Sequence, residues 1–309
     1  MKEYTVTVDQ AHSGKRLDLF LYGSFGPTDG FSRTFLQGLI RGSKVKVNAS
    51  LVTTPHHKVF SGDTISVSIP DKETHILKAE PISLQVYYED EDVAVIEKPS
   101  GLVVHPAPGN YGHTLVNALI HRFAHLSDVN PGRPGIVHRL DKETSGVMVV
   151  TKTNFAHLAL AKQFAAHSIK RIYVALVKGR MKFDENIIEL PIGRHPYKRK
   201  QMSVLSVKNP RYAKTFYRTL KRTDEKSLLE LHPHTGRTHQ LRVHLAFIGH
   251  PIMGDTKYGK NNACERLALH ATTLGFFHPR RKKFVEFHSQ LPELFVAFSG
   301  CANRAPAPK

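Results

Sequence analysis

His138-Arg139-Leu140-Asp141-Lys142-Glu143-Thr144-Ser145-Gly146 is the stretch on which the reading of this chain turns. Asn130, Pro131, Gly132, Pro134 and Gly135 lead into it, and an apolar, valine-rich run, Val147 to Val150, leads out. The stretch therefore reads as a tight connection between short buried segments, a common place for function to be mounted. Asp141 stands between Arg139 and Lys142. An opposite charge within ~4–6 Å favours the ionised form of a carboxylate. Read alone, the same residues fit a solvated turn with a weak ion pair equally well.

Outward from this loop, the spacing alternates between strand and helix. Downstream, Asn154 can cap a helix running to about His167, with Leu160, Ala161, Phe164 and Ala165 on its apolar face. Ile172 to Val177 is strongly β-forming, and Leu228 to Leu231 is strand-like. His232-Pro233-His234-Thr235-Gly236 reads as a turn into a helix from about Thr238 to Phe247, ended by Gly249. The basic, turn-rich segments His195–Lys200 and Lys208–Arg211 suit an arm against RNA or a mobile loop. Upstream, Tyr87-Tyr88 and Val93–Ile96 flank a hairpin turn, and Thr114–Phe123 has helical spacing. Lys98-Pro99 and His105-Pro106 read as ordinary turn formers. The expected class is α+β, with a large, mainly antiparallel sheet flanked by helices over residues 81–300.

The amino-terminal part has its own pattern. Tyr4–Val8 has strand composition, and Leu17, Phe20 and Leu21 have helical spacing. Gly23–Gly30 reads as a turn-rich insert, and Ser32 as the cap of a second helix with Leu36, Leu39 and Ile40 inside. Strands are expected at Lys44–Val47 and Thr64–Ile69, joined through a turn at Asn48–Ser50. This makes a small module over 1–70, a linker over 71–80 and a disordered tail over 301–309.

The 309 residues suffice for one small and one large domain. Lys plus Arg is 44 against 26 Asp plus Glu, a formal charge of +18. Such an imbalance points to a polyanion, with nucleic acid ahead of an acidic membrane surface. Cys264 and Cys301 stand in unlike contexts with no Cys-x-x-Cys pair, which suits a reducing compartment and argues against a cysteine-rich zinc site. His239 and His244 are off the i, i+4 spacing of one helical face, so no metal site is expected. Neither a secretory signal nor a run of ~18 apolar residues occurs, and a cytoplasmic protein is expected.

Four motifs occur in order: His138-Arg139-Leu140-Asp141 with Thr144-Ser145-Gly146; Arg171-Ile172-Tyr173; Gly236-Arg237-Thr238-His239-Gln240-Leu241-Arg242-Val243-His244; and Leu269-His270-Ala271. This set resembles the RluA/RluD family of pseudouridine synthases, in register over most of 85–275. The resemblance implies the pseudouridine synthase fold and an isomerase. Such an enzyme breaks the C–N glycosidic bond of a uridine, turns the base and rejoins it through carbon, with no metal or cofactor. It implies Asp141 as the catalytic carboxylate, attacking C1′ or taking a sugar proton on the way to a glycal. It implies Arg242 as the partner of that acid, in the two-point geometry open to a guanidinium. Arg139 would enter the gap left by the extruded base or serve as a plain phosphate contact. Tyr173 would hold the flipped uracil, Leu269 would form the apolar wall of its pocket, and Lys98-Pro99 and His105-Pro106 would stand around the cleft in a structural role.

The module over 1–70 resembles the small RNA-binding domain first described in a ribosomal small-subunit protein. The match lies in Arg16-Leu17-Asp18 and in Ser32-Arg33 through Val45-Lys46-Val47-Asn48. It implies RNA contacts from Arg16, Arg33, Lys44 and Lys46, and affinity that falls with salt. With that module, the resemblance implies large-subunit ribosomal RNA as substrate, transfer RNA as the alternative, and a monomer. Two rivals remain on the sequence. A nucleic-acid glycosidase also needs an acid beside the anomeric carbon but releases free base. A non-catalytic RNA-binding or ribosome-assembly factor would use the basic face and leave Asp141 idle.

Overall fold

The computed structural model describes residues 2–29, 31, 33–69, 77–107, 109–198, 201–205, 207–259 and 264–299. The chain divides into two compact units, Met1–Ile76 and Leu77–Lys309.

In the first unit, β1 (Lys2–Thr7) is followed by α1 (Leu17–Asp29), α2 (Arg33–Arg41), β2 (Val45–Val47), β3 (Ser50–Leu51) and β4 (Thr64–Ile69). The four strands form an antiparallel sheet in the order β1-β4-β2-β3. Asn48 and Ala49 both have positive φ, the backbone a tight hairpin needs between β2 and β3. Leu17, Leu21, Leu36 and Ile40 are fully buried with Ile65 and Val67. The stretch expected as an insert after Gly23 is instead the continuation of α1. A glycine in a helix costs only about 1 kcal/mol, and here Phe25 packs its ring edge against Tyr4, 5.5 Å between centroids. Ser32, the expected cap, lies outside the described residues.

The second unit begins within the expected linker: Leu77 packs into the core, and the Asn117 amide donates to the Lys78 carbonyl at 2.7 Å. Its elements are β5 (Val86–Glu89), β6 (Val93–Lys98), α3 (Leu115–Arg122), β7 (Ser145–Thr151), α4 (Asn154–Ala165), β8 (Lys170–Lys178), β9 (Glu185–Glu189), β10 (Ile192–Arg194), β11 (Met202–Ser203), β12 (Lys208–Arg211), β13 (Lys214–Arg222), β14 (Lys226–Pro233), α5 (Gln240–Phe247), β15 (Leu269–Phe277), β16 (Phe284–His288) and α6 (Glu293–Ser299). Nine strands make one sheet in the order β5-β6-β7-β15-β8-β14-β13-β9, with β16 on the far part of β15. All pairings are antiparallel except β7 with β15, matched at Ser145–His270 and Gly146–Ala271.

Every residue of β7 is buried. That accounts for its unbroken apolar run, because a strand covered on both faces has no reason to alternate. Met148 and Val150 face a cluster with Leu115 and Leu119 of α3, while Val147 and Val149 face one with Ala156 and Leu160 of α4. A third cluster joins β8 and β14 to Leu241 and Leu245 of α5. Tyr173 packs against the first and the third.

Three local expectations differ from the structure. Thr153, not Asn154, caps α4 by accepting from Ala156 N at 3.2 Å. Asn154 is drawn aside by Ser127 and Asp128, which donate to its carbonyl oxygen. α5 starts at Gln240 rather than Thr238, because His239 has a left-handed backbone, φ 55°. Of the two basic segments, Lys208–Arg211 is not a loop but β12 of a small three-stranded sheet, β11-β10-β12, in which neighbouring strands satisfy each other's backbone groups.

Candidate active site

The loop that carries Asp141 is held from below. The Lys98 side chain is buried at the end of β6, and its Nζ donates to the carbonyls of Pro99, Leu102 and Lys142 at 2.7, 2.9 and 3.0 Å. Three acceptors match the three N–H donors of an ammonium. Burial pushes this group down to about 7, against the pull of Glu143 and Asp141. Ser100 Oγ donates to Glu143 O at 2.6 Å and Gly101 N to Lys142 O at 2.9 Å. Asp141 itself accepts Thr144 N through its carbonyl at 3.1 Å, closing the turn.

From that turn the chain runs into β7 against β15. Gly146 has φ +128°, and a Cβ there would overlap the Ala271 carbonyl and sit 2.6 Å from its nitrogen. Only a glycine lets the two strands close at this point. Beside it, Ser145 Oγ bonds His270 Nδ1 at 2.8 Å, and Ser289 Oγ bonds His270 Nε2 at 2.9 Å. Burial, with Arg266 nearby, holds His270 down at about 4, so the ring is neutral.

Arg242 enters from α5, only 2% exposed. Its Nε and Nη2 donate to the two oxygens of Asp255 at 2.7 and 2.8 Å. Its Nη1 faces Asp141 Oδ2 at 3.6 Å and Glu143 Oε2 at 3.7 Å, and is buried without a hydrogen bond. The two-point pair expected between Arg242 and Asp141 is thus made with Asp255, and Asp141 receives a one-point contact. The guanidinium is also 5.4 Å from the centre of the Tyr258 ring. Burial works against its charge, but Asp255, then Asp141 and Glu143, outweigh it and raise its pKa.

Above these groups opens a cleft of about 610 Å³. Asp141, Arg139, Tyr173, Arg242 and Leu269 all line it. The strand register brings three of them together: Ala271 on β15 is paired with both Gly146 and Tyr173. Burial raises the Tyr173 phenol, which Arg171 opposes and Asp141 reinforces. The rim is basic, with Arg133, Arg171 and Arg237 beside Arg139. Inside it, burial pushes His138 down to about 3, with Arg171 adding to the effect; its Nε2 accepts from Val149 N at 3.1 Å. A cleft lined by one carboxylate, Asp141, beside a fixed cation, an aromatic ring and an apolar wall suits a flat uncharged ring attached to a sugar.

A family model described as RNA pseudouridylate synthase matches residues 92–247. The chain belongs to the RNA pseudouridylate synthase family. Among its relatives, an uncharacterised RNA pseudouridine synthase of Bacillus subtilis, YlyB, is 41% identical over 296 residues, 95% of this chain and 96% of that one. A ribosomal large subunit pseudouridine synthase D of Zymomonas mobilis is 40% identical over 301 residues, 93% of this chain and 94% of its own. The solved structure of human RNA pseudouridylate synthase domain containing 1 superposes with TM-score 0.58 at 28% identity, over 71% of this chain and 89% of that one. The synthase is accordingly an isomerase that acts on RNA.

The remaining expected RNA-contacting residues lie in the first unit. Asp18 is fully buried and gathers Arg16 Nε at 3.0 Å, Arg33 Nη2 at 2.8 Å and Gln37 Nε2 at 2.6 Å. Burial raises that carboxyl, but Gln37, Arg33 and Arg16 together hold it at about 2. Each guanidinium is tied at one edge while its side chain stays nearly half exposed. Lys44 and Lys46 are exposed. The synthase site also holds Glu143, Asp255 and Tyr258, which sequence reasoning missed, and Lys98, which the resemblance places around the cleft but which on its own reads as a turn former. For Lys98 the signal was a lysine closing an apolar strand directly before Pro99, and for Asp255 an acid between glycines, Gly254 and Gly259. Among the described residues no group of three or more His, Cys, Asp or Glu is placed to hold a metal ion.

Proposed function

We propose that this synthase isomerises specific uridines of large-subunit ribosomal RNA, with Asp141 as its catalytic carboxylate. The observation that carries the reading is the Asp141 carboxylate, only partly exposed in the cleft, 3.6 Å from a buried guanidinium. In a site shielded from water such a carboxylate can attack C1′ or take a sugar proton, and the fixed cation offsets the cost of shielding its charge. Tyr173 holds the uracil while it turns, and Leu269 closes the apolar side. Arg139, at the exposed edge, fills the space the nucleotide leaves; unstacking costs a few kcal/mol, so a side chain in the gap recovers part of it.

The substrate class rests on the naming of several relatives as ribosomal large subunit enzymes and on the +18 charge. Arg16, Arg33, Lys44 and Lys46 add phosphate contacts from the first unit. We place the enzyme in the cytoplasm, supported by its two unlike cysteines, and read it as a monomer from the family resemblance alone. Among the described residues no helix is long and apolar enough to cross a membrane.

The test is incubation with large-subunit RNA and with transfer RNA, followed by carbodiimide mapping of pseudouridine. We expect new sites in the large-subunit RNA, none with Asp141→Asn, and no free uracil. Modification of transfer RNA alone would overturn the substrate. An active Asp141→Asn would overturn the role of the acid.

A further inference from the structure

Arg242 does not close a two-point pair on the acid it faces, and the reason lies in a turn that lines neither wall of the cleft. Asp255 is 1% exposed and occupies both the Nε and Nη2 edges of the guanidinium. Asp255 is itself fixed: its Oδ1 accepts Lys257 N at 2.9 Å and Tyr258 N at 3.0 Å. Tyr258 lies against the guanidinium face, and its hydroxyl accepts Met202 N at 2.9 Å and meets His239 Nδ1 at 2.7 Å. Two glycines shape the turn. Gly254 has φ +73° against the Arg266 carbonyl, and a Cβ on Gly259 would come within 2.7 Å of Asp255 O.

We propose that Asp255, with Tyr258, is a positioning residue that keeps the fork of Arg242 away from Asp141. The inference rests on the reading of Asp141 given above and deepens it. A guanidinium can lock a carboxylate in two parallel hydrogen bonds along its Nε–Nη2 edge or along its Nη1–Nη2 edge. Asp255 takes Nε and Nη2, Nη2 belongs to both edges, and only Nη1 faces Asp141. Locked in that way, Asp141 would have both oxygens engaged and its charge spread over the pair. With the fork taken by Asp255, only Nη1 reaches the acid, and one carboxylate oxygen stays free for the ribose. The Tyr258 ring holds the guanidinium plane, so Nη1 stays between Asp141 and Glu143.

Asp255→Asn is the informative variant, since its carboxamide oxygen still accepts the two backbone N–H groups that shape the turn. Single-turnover rates and RNA affinity are measured separately. We expect kcat to fall about 100-fold, the loss typical of a misplaced catalytic group, with RNA affinity unchanged. In an Arg242→Lys background, Asp255→Asn should add little, because a lysine has no fork to restrain. Independent effects would instead multiply. Tyr258→Leu, which leaves Asp255 intact, should lower kcat by a smaller factor with the same signature and serves if Asp255→Asn folds poorly. A fully active Asp255→Asn, or losses that multiply in the double variant, would overturn the inference. If Asp141→Asn is inactive while Asp255→Asn is not, only this inference fails. If Asp141→Asn is active, the underlying reading fails.

Discussion

Gly146 lies against the backbone of Ala271 with no room for a side chain, and this closure sets the turn of Asp141 beside the first residue of β15. Both the positive φ and the contact exclude alanine. Gly146→Ala should cost roughly 2–4 kcal/mol, from overpacking and backbone strain together. Urea unfolding reads this, and a variant as stable as the parent would mean that the two strands can part without loss.

Arg242→Lys keeps the charge and loses the fork. The lysine cannot hold Asp255 at two points and reach Asp141 as well. Turnover should drop about 100-fold, whereas RNA affinity stays near its parent value because this residue is buried beneath the cleft. Equal losses in turnover and affinity would assign Arg242 to RNA binding.

Tyr173 carries a phenol whose pKa is raised, first by burial. It is neutral at physiological pH, and in the proposed function its ring, which lines the cleft, is the part that meets the base. Tyr173→Phe should therefore retain RNA affinity, and Tyr173→Ala should lose about 1–3 kcal/mol of it. Filter binding with a substrate stem-loop distinguishes the two. Weak binding by the Phe variant would shift the weight to the hydroxyl.

His270 is neutral in the fold, held at about 4 by burial and by Arg266. In the unfolded chain it titrates near ~6.5. Between these values the unfolded state binds a proton that the folded state refuses, so stability falls as pH drops from neutral. One such group removes about 3 kcal/mol by pH 4. His270→Asn should start less stable at pH 7 but show a shallower decline on acidification. Parallel declines would mean that other groups set the acid limb.

Lys44 and Lys46 sit on the exposed side of the first unit. If both neutralise phosphates, Lys44→Ala with Lys46→Ala should reduce the slope of log affinity against log salt by about 2. An unchanged slope would remove them from the RNA contact.

The acid loop was legible because its chemistry is packed into nine consecutive residues. β4 and β6 were readable for a similar reason: local composition decides them. What local composition cannot reveal is which strands become neighbours. β15 lies between β7 and β8, a placement settled by contacts between residues far apart in sequence. Asp255 was missed because an acid in a glycine-flanked turn is common, and its bond to Arg242 exists only once α5 is docked. Lys98 looked like a turn former before Pro99; its burial depends on three carbonyls, including one from the acid loop. The helical course after Gly23 was hidden because glycine and proline weigh heavily in a local reading, while the packing of Phe25 on Tyr4 does not enter it.

The central position of β15 bears on how the enzyme is made. Strands β7 and β8 both wait for Leu269–Phe277 to fill the gap between them. A nascent chain that has delivered Asp141, Tyr173 and Arg242 still lacks the element that seats them side by side. During translation the proposed site is therefore incomplete until Leu269–Phe277 has been made. Its completion waits on one strand late in the sequence, paired through non-local contacts of the kind that form slowly in folding.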